Sequence, residues 1–394
     1  METVARIEPC LPEAISPKTL DLVAALVSAA DHLEARFHPR TGASLAALVR
    51  IMNCYYSNLI EGHNTTPREI ENALKGDFAA IPERRNLQFE ARAHILLQAE
   101  IDRRHAADAL SEPAAMDFLR WLHLEFYHDA PEEMLTVQGA GRSLRIIPGE
   151  FRSRPEQEVF VGRHIPPSSA AIPAFMDHFA RRYRFETMGQ GTRVVAMAAA
   201  HHRLNYIHPF VDGNGRVSRL MSHAMALKAR IGAYGLWSVS RGLARGLQSR
   251  GEYKRMLDHA DAPRRGDLDG RGNLSLSALG EYIDWFLEVC LDQVAFMTGL
   301  FELDTFLQRV AGYVALRGFK PAAFQLLEQV IVRGKAARGD VPRITGFKER
   351  TARALLAELL TDGILASDTP KGPVFLQVTL KSSELLFPSL FPAA

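Results

Sequence analysis

Apolar residues recur at helical spacing over most of this chain, and polar residues fill the positions between them. Residues 20–38 and 43–59 read as amphipathic helices. Thr66-Pro67-Arg68-Glu69 has the form of a helix start, with Pro67 at the first helical position, and the pattern runs on to Leu74. Further helices are predicted over 86–105, 113–128, 172–185 and 276–291. Residues 194–207 are mostly apolar and rich in alanine, which predicts a helix buried on all sides. Residues 216–231 follow with Val217, Leu220, Met221, Ala224 and Leu227 on one face. The helical pattern breaks over 149–167. There Phe151-Arg152 and Val159 to Gly162 have strand character, and Pro166-Pro167 closes the stretch, so a surface hairpin is expected. Past residue 301 the pattern gives helices at 324–332, 341–345 and 348–360, the last with Ala352, Leu355, Leu356 and Leu359 inward. A Lys371-Gly372-Pro373 turn then leads to a strand at 374–378. Three helices followed by a hairpin are the outline of a winged helix. The expected organisation is a helical N-terminal region (1–110), a helical core with a small hairpin (111–300), and a linker helix with a winged-helix-like domain (301–394).

Composition narrows the class. A length of 394 residues and 47% hydrophobic content suffice for two or three domains with sizeable cores. Lys and Arg (47) nearly balance Asp and Glu (45), so the net charge of +2 makes no global case for nucleic acid. Lys348, Arg350 and Arg353 on the third tail helix could meet phosphates, but Glu349 and Glu358 share that helix, so DNA is not favoured as a partner. Cys10, Cys54 and Cys290 are far apart in apolar surroundings and read as reduced core residues. No basic-then-apolar leader and no run of about 18 apolar residues stands out, so no membrane association and a cytoplasmic location are expected. Asp267 to Asn273 superficially suggests a Ca²⁺ loop. It lacks the full ligand series and the closing glutamate, and reads better as a polar turn.

The chemistry concentrates at residues 208–219, His-Pro-Phe-Val-Asp-Gly-Asn-Gly-Arg-Val-Ser-Arg. This stretch joins the two central helices and opens the second one. The first N–H groups of a helix lack intrahelical partners and carry partial positive charge. Gly213 and Gly215 allow positive φ and close backbone approach, so their N–H groups can converge on an anion. Arg216 and Arg219, at i and i+3, add guanidinium forks suited to phosphate. Asp212 would repel phosphate unless a cation intervened, so its simplest useful role is to hold Mg²⁺ or Mn²⁺. His208 can take a proton from an attacking hydroxyl. Pro209 rigidifies the loop, and Phe210 reads as its hydrophobic anchor.

The motif resembles the signature of the Fic family of AMP-transferases, His-Pro-Phe-x-(Asp/Glu)-Gly-Asn-Gly-Arg-x-x-Arg, at every defined position. The resemblance implies a Fic-fold helical core and a general base at His208. It implies a metal ligand at Asp212 and an anion hole of Gly213, Asn214 and Gly215, with Asn214 on the α-phosphate of ATP. Arg216 and Arg219 would hold the β- and γ-phosphates. Residues 57–62, Ser-Asn-Leu-Ile-Glu-Gly, also resemble the family's inhibitory helix, (Ser/Thr)-x-x-x-Glu-(Gly/Asn), at Ser57, Glu61 and Gly62. Its place before the motif is that of the class with an N-terminal inhibitor. There the Glu61 carboxylate would occupy the fork of Arg219 and deny it to the γ-phosphate. The hairpin at 149–167 falls where the family has a flap that holds the target by backbone pairing. Tyr253 and Asp261 fall near where relatives contact adenine and ribose. Because Asp261 stands where some relatives have Asn, only Tyr253 is retained as a nucleotide contact. Similar winged helices occur at the C-terminus of bacterial relatives, and a homodimer is compatible with this architecture.

Three functions compete on this reading. The first is autoinhibited transfer of AMP from ATP to a Ser, Thr or Tyr hydroxyl of a target protein or of the chain itself. The second is the reverse, removal of AMP by a water that Glu61 aligns. The third is a DNA-binding regulator with a nucleotide-sensing domain. Intact His208, Asp212, Arg216 and Arg219 favour the first two over the third.

Overall fold

The computed structural model describes residues 2–139 and 142–391 of the chain. Among them helices dominate, as the spacing predicts, with two small antiparallel hairpins. The N-terminal part carries α1 (Pro17–Glu34), α2 (Pro39–Ile60), α3 (Pro67–Leu74) and α4 (Pro82–Ala106). Each starts on a proline, whose missing N–H costs nothing at a helix start. Ser16 caps α1 by accepting from the Thr19 N–H, and Thr66 forms a reciprocal capping box with Glu69 at α3.

The middle of the chain follows with α5 (Met116–Tyr127), β1 (Thr136–Gly139), β2 (Arg142–Arg145), α6 (Ile172–Arg182), α7 (Gln190–Ile207) and α8 (Asn214–Lys228). Then come α9 (Val239–Arg245), α10 (Glu252–Ala260) and α11 (Leu276–Leu300). Nearly every residue of α7 from Val194 onward is buried, and α8 is buried from Arg216 to Leu227. These two antiparallel helices are the centre of the molecule, with α1 and α11 packed on one side and α4 and α5 on the other. The loop between α7 and α8 is therefore carried by two buried helices. Asp269 accepts from the Arg265 and Ser277 N–H groups and from the Ser275 hydroxyl, so the acidic stretch before α11 is a hydrogen-bonded turn.

The hairpin in this half lies upstream of its expected place. β1 pairs with β2 from Thr136↔Arg145 to Gly139↔Arg142. Within 149–167 the only bridge among the described residues joins Val161 and His164. The physical reason is visible at Arg152, whose side chain turns fully inward, and at Pro155, which opens a single 3-10 turn. A segment anchored inward at one end and interrupted by prolines does not extend a ladder.

The C-terminal region holds α12 (Leu303–Leu316), α13 (Ala323–Arg333), α14 (Val341–Thr345), α15 (Glu349–Asp362), β3 (Leu365–Ala366), β4 (Phe375–Leu376) and α16 (Leu380–Leu386). Leu365 pairs with Leu376, Ala366 pairs with Phe375, and Ala336 bridges Val374. This region rests on α2. The Thr41 hydroxyl donates to the Ile331 carbonyl at 2.8 Å, Arg40 pairs with Asp368 at 2.8 Å and lies over the Phe375 ring, and Tyr55 meets Phe391 edge-on. All three cysteines are free and buried. Among the described residues no helix is long and apolar enough to cross a membrane.

Candidate active site

α7 ends at His208, which adopts left-handed backbone angles (φ 50°, ψ 60°). That conformation costs a non-glycine residue roughly 1–2 kcal/mol, so surrounding contacts must impose it. Arg152 supplies several of them. Its Nε donates to the His208 carbonyl at 2.8 Å, and one Nη donates to the Pro167 and Ile207 carbonyls at 2.5 and 3.2 Å. The other Nη donates to the Ser169 hydroxyl at 3.0 Å, and the Arg152 N–H donates to the Pro209 carbonyl at 2.8 Å. A second clamp is Asn214, whose amide nitrogen donates to the Phe210 carbonyl and whose amide oxygen accepts from the Phe210 N–H, both at 2.9 Å. Phe210 itself is fully buried and stacks on His123 at 4.0 Å with the rings 3° from parallel. The anchoring role of Phe210 is as the sequence suggests. Asn214 spends both ends of its side chain on the loop.

The surroundings of His208 fix its tautomer and charge. Its Nδ1 lies 3.3 Å from the Asn205 carbonyl, which can only accept, so Nδ1 carries the proton and Nε2 keeps a free lone pair. Burial pushes the imidazole pKa down to about 4, helped by Arg152 and opposed by the Asn205 carbonyl. His208 is thus neutral throughout the physiological range.

Asp212 accepts from the Tyr127 hydroxyl at 2.9 Å. Burial raises its pKa, but Arg216, the Gly213 N–H and Tyr127 more than offset this, and the net shift is downward. It is an ionised carboxylate, half open to solvent. Mg²⁺ commonly takes only one or two carboxylates and completes its shell with water and substrate phosphate, so this donor fits it. Gly213 has φ +79°, and a Cβ there would meet the Tyr127 ring at 3.1 Å, so only glycine fits this turn.

The two arginines part company. Arg219 lines a cavity of about 580 Å³ together with His208, Gly215, Tyr253 and Glu61. Arg216 does not line it. Its guanidinium pairs with Glu90 at 2.9 Å, approaches Asp212 at 3.8 Å and lies over the Phe126 ring. Glu90 also contacts His63 at 2.9 Å, so Arg216 ends a buried polar chain that the sequence did not announce.

The segment 57–62 arrives at the cavity from α2. Ser57 is on the last turn of that helix, Glu61 is its C-cap, and Gly62 leaves it at φ +85°. The Arg219 Nη2 donates to Glu61 Oε1 at 2.6 Å, and its Nε donates to the Ser57 hydroxyl at 2.9 Å. Burial raises the Glu61 pKa, but Arg219 and then Arg216 bring it below the usual carboxylate value. Glu61 Oε1 lies only 2.5 Å from where a Cβ on Gly215 would stand, so the carboxylate presses on the glycine turn itself. The structure thus brings Ser57, Glu61 and Arg219 together across 158 residues or more of sequence.

Tyr253 lines the same cavity, and its hydroxyl lies 2.7 Å from His201 Nε2. Asp261, set aside on sequence, also lines it, within 2.9 Å of His164 Nδ1 and 3.0 Å of His202 Nε2. Sequence reasoning missed Arg152 as a site residue. Its only signal was an arginine in an otherwise strand-like stretch just upstream of the motif.

Residues 113–226 match the model of the Fic/DOC family. A protein adenylyltransferase Fic from Drosophila erecta is 41% identical over 81 residues, 21% of this chain and 16% of the relative. Its namesake from Drosophila melanogaster is 42% identical over the same length. The match therefore spans about a sixth of these curated relatives. The crystal structure of a Fic family protein from Desulfovibrio desulfuricans G20 aligns with a TM-score of 0.54 at 18% identity, over 94% of this chain and 98% of that one. A Fic domain containing signaling protein from Bacteroides thetaiotaomicron VPI-5482 aligns with a TM-score of 0.51 at 20% identity, over 70% and 96%. At such identities these two likenesses concern the fold.

Proposed function

We propose that this chain, which carries a Fic/DOC family domain at residues 113–226, is an autoinhibited protein adenylyltransferase that moves AMP from ATP to a Ser, Thr or Tyr hydroxyl of a target protein or of itself. The observation that carries the reading is the pairing of Arg219 with Glu61 in a cavity that also holds a neutral His208.

In this mechanism His208 Nε2 takes the proton of the target hydroxyl as its oxygen attacks the α-phosphorus. The bond to the β-phosphate breaks, and pyrophosphate leaves. The Gly213 to Gly215 turn and the start of α8 offer N–H groups to the phosphate oxygens. Asp212 would hold Mg²⁺ or Mn²⁺, which when bound neutralises phosphate charge. Tyr127 and Arg216 keep that carboxylate oriented and ionised. Arg219 would take the γ-phosphate, but its fork is filled by Glu61 and Ser57. A triphosphate entering this cavity meets a carboxylate where its own charge should be bound, and settles in an unproductive pose. Tyr253 is the proposed wall of the nucleotide site.

A second reading, removal of AMP from a modified target, draws on the same observation. Glu61 lines the cavity beside His208, where it could align a water. DNA stays outside the proposal, because Arg353 on α15 pairs with Glu349 at 2.9 Å and offers less charge to phosphates. The test is incubation of wild type, Glu61→Gly and His208→Ala with ATP labelled on the α-phosphate. Transfer that rises in the first variant and vanishes in the second supports the proposal. Loss of hydrolytic AMP removal in Glu61→Gly, alongside gained transfer, supports the second reading as the resting activity.

A further inference from the structure

The turn Val161 to His164 stands over the cavity that holds His208, and its inner face is fastened in an unusual way. Val161 and His164 exchange backbone hydrogen bonds at 3.1 and 3.0 Å, which makes the turn a small rigid unit. That unit touches the cavity floor through the His164 ring. His164 Nε2 lies 2.8 Å from the Tyr206 carbonyl, and Nδ1 lies 2.9 Å from Asp261 Oδ2. Both partners are acceptors, so the ring is held between two acceptors, one on the cavity floor and one on Asp261.

The other Asp261 oxygen is fixed from below. The Arg203 Nη1 donates to His202 Nδ1 at 2.6 Å, so the proton of neutral His202 is on Nε2. That Nε2 faces Asp261 Oδ1 at 3.0 Å and the Leu257 carbonyl at 3.1 Å. Arg203 is itself fully buried and bound to the Pro9 carbonyl, which makes the floor immobile. Asp261 thus joins a buried histidine on α7 to the histidine on the turn. Among the described residues the turn also meets the body through an exposed pair between Arg163 and Asp258, and Ile165, just after it, accepts from Arg6.

We infer that Asp261 is a positioning residue: through His164 it clips the 161–164 turn over His208, and so sets where a target segment can lie relative to the base. The functional half of this inference rests on the transfer reading above; the clip itself does not. A nucleotide contact at Asp261, in contrast, would act on ATP affinity.

The test uses the full-length protein and two readouts. Arg163 is 89% exposed, so trypsin reaches the Arg163–His164 bond whenever the turn lifts. Cleavage there is followed by mass spectrometry, with the other tryptic bonds of the same chain as internal reference. The Asp261→Asn and His164→Ala variants should each speed cleavage at this bond about fivefold or more relative to the reference bonds. The double variant should add nothing beyond either single one, as expected of two residues acting through one contact. Equal rates in wild type and Asp261→Asn overturn the clip. So does an acceleration spread over the whole chain with no excess at Arg163.

The second readout is self-labelling by ATP in the Glu61→Gly background. Adding Asp261→Asn should lower labelling about fivefold or more while affinity for a fluorescent ATP analogue stays within about twofold. Unchanged labelling overturns the positioning role, and a parallel loss of ATP affinity replaces it with nucleotide contact. If Glu61→Gly alone transfers no AMP, the transfer reading fails, and cleavage at Arg163 still decides the clip.

Discussion

Consider replacement of Glu61 by glycine. The side chain contributes one charge-assisted hydrogen bond of 2.6 Å to a guanidinium that is 1% exposed, and Glu61 itself is 30% exposed. Hydrogen bonds to charged groups contribute about 1.5–3 kcal/mol. At about 1.4 kcal/mol per factor of ten, this contact favours the closed arrangement by roughly 10- to 150-fold. If AMP transfer passes only through molecules whose Arg219 fork is free, Glu61→Gly raises the rate about tenfold or more. Glu61→Gln is the graded control. It keeps the shape but offers a neutral oxygen, which removes the charge-to-charge attraction and keeps the hydrogen bond, so its rate falls between the two. Glycine at the end of α2 weakens the helix by roughly 0.5–1 kcal/mol, too little to unfold it. The assay is the initial rate of label transfer from α-labelled ATP at saturating nucleotide, with melting temperature and ATP affinity measured on the same samples. ATP affinity should change less than rate, because the carboxylate governs the pose of the γ-phosphate. An unchanged rate in a folded, ATP-binding Glu61→Gly protein, with a competent target present, would refute the latch and leave Ser57 to Gly62 as an ordinary helix end.

Other outcomes follow from the same geometry. His208→Ala should cost transfer about 10²–10⁴-fold with ATP binding retained, read by the same label. The folded-state pKa of His208 is lowered to about 4, so between there and about 6.5 the unfolded chain binds the extra proton and the native one does not. The contribution of His208 to stability is therefore full above pH 6.5 and falls as pH drops towards 4. The acid limb of kcat/KM in Glu61→Gly should likewise lie near pH 4 to 5, and a midpoint at 6.5 would contradict the neutral, half-buried base. Asp212→Ala should be nearly inactive at any Mg²⁺ or Mn²⁺ concentration, and chelator should abolish wild-type transfer; full activity in excess chelator would assign Asp212 another role. Arg152→Ala leaves four acceptors around a buried hole and should cost about 3 kcal/mol or more in unfolding free energy, with no rescue by Lys, which lacks the planar fork.

The parts of this site that lie close in sequence were legible because their chemistry is local. That a helix opens beside a glycine turn is readable from Gly213-Asn214-Gly215 alone, and α8 does begin at Asn214 after a positive-φ Gly213. The union of Ser57 and Glu61 with Arg219 was legible only through a family pattern, since nothing in periodicity brings α2 to α8. The inward turn of Arg152 and the diversion of Arg216 to Glu90 were not legible, because both depend on which acceptors the tertiary fold leaves unpaired. The same holds for the contact of Asp261 with the 161–164 turn. Among the helices, α9 and α10 were missed because 7 and 9 residues give too few turns for a periodic signal. α12, at 14 residues, stands where a linker helix was expected without stated bounds.

α2 is gripped at both ends, by Thr41 and Arg40 against the C-terminal region and by Ser57 and Glu61 against Arg219. Each added residue turns a helix by about 100° and lengthens it by about 1.5 Å. One residue inserted between Thr41 and Ser57 would swing Glu61 a quarter-turn away from the cavity while the other end stayed seated. Seven residues would restore its heading to within about 20° but carry it about 10 Å too far. The helix is therefore a ruler whose length is set to the single residue. Substitutions at its few exposed positions, such as Ala43 and Ala47, leave this spacing intact, whereas an insertion or deletion within it changes the distance between its two anchored ends.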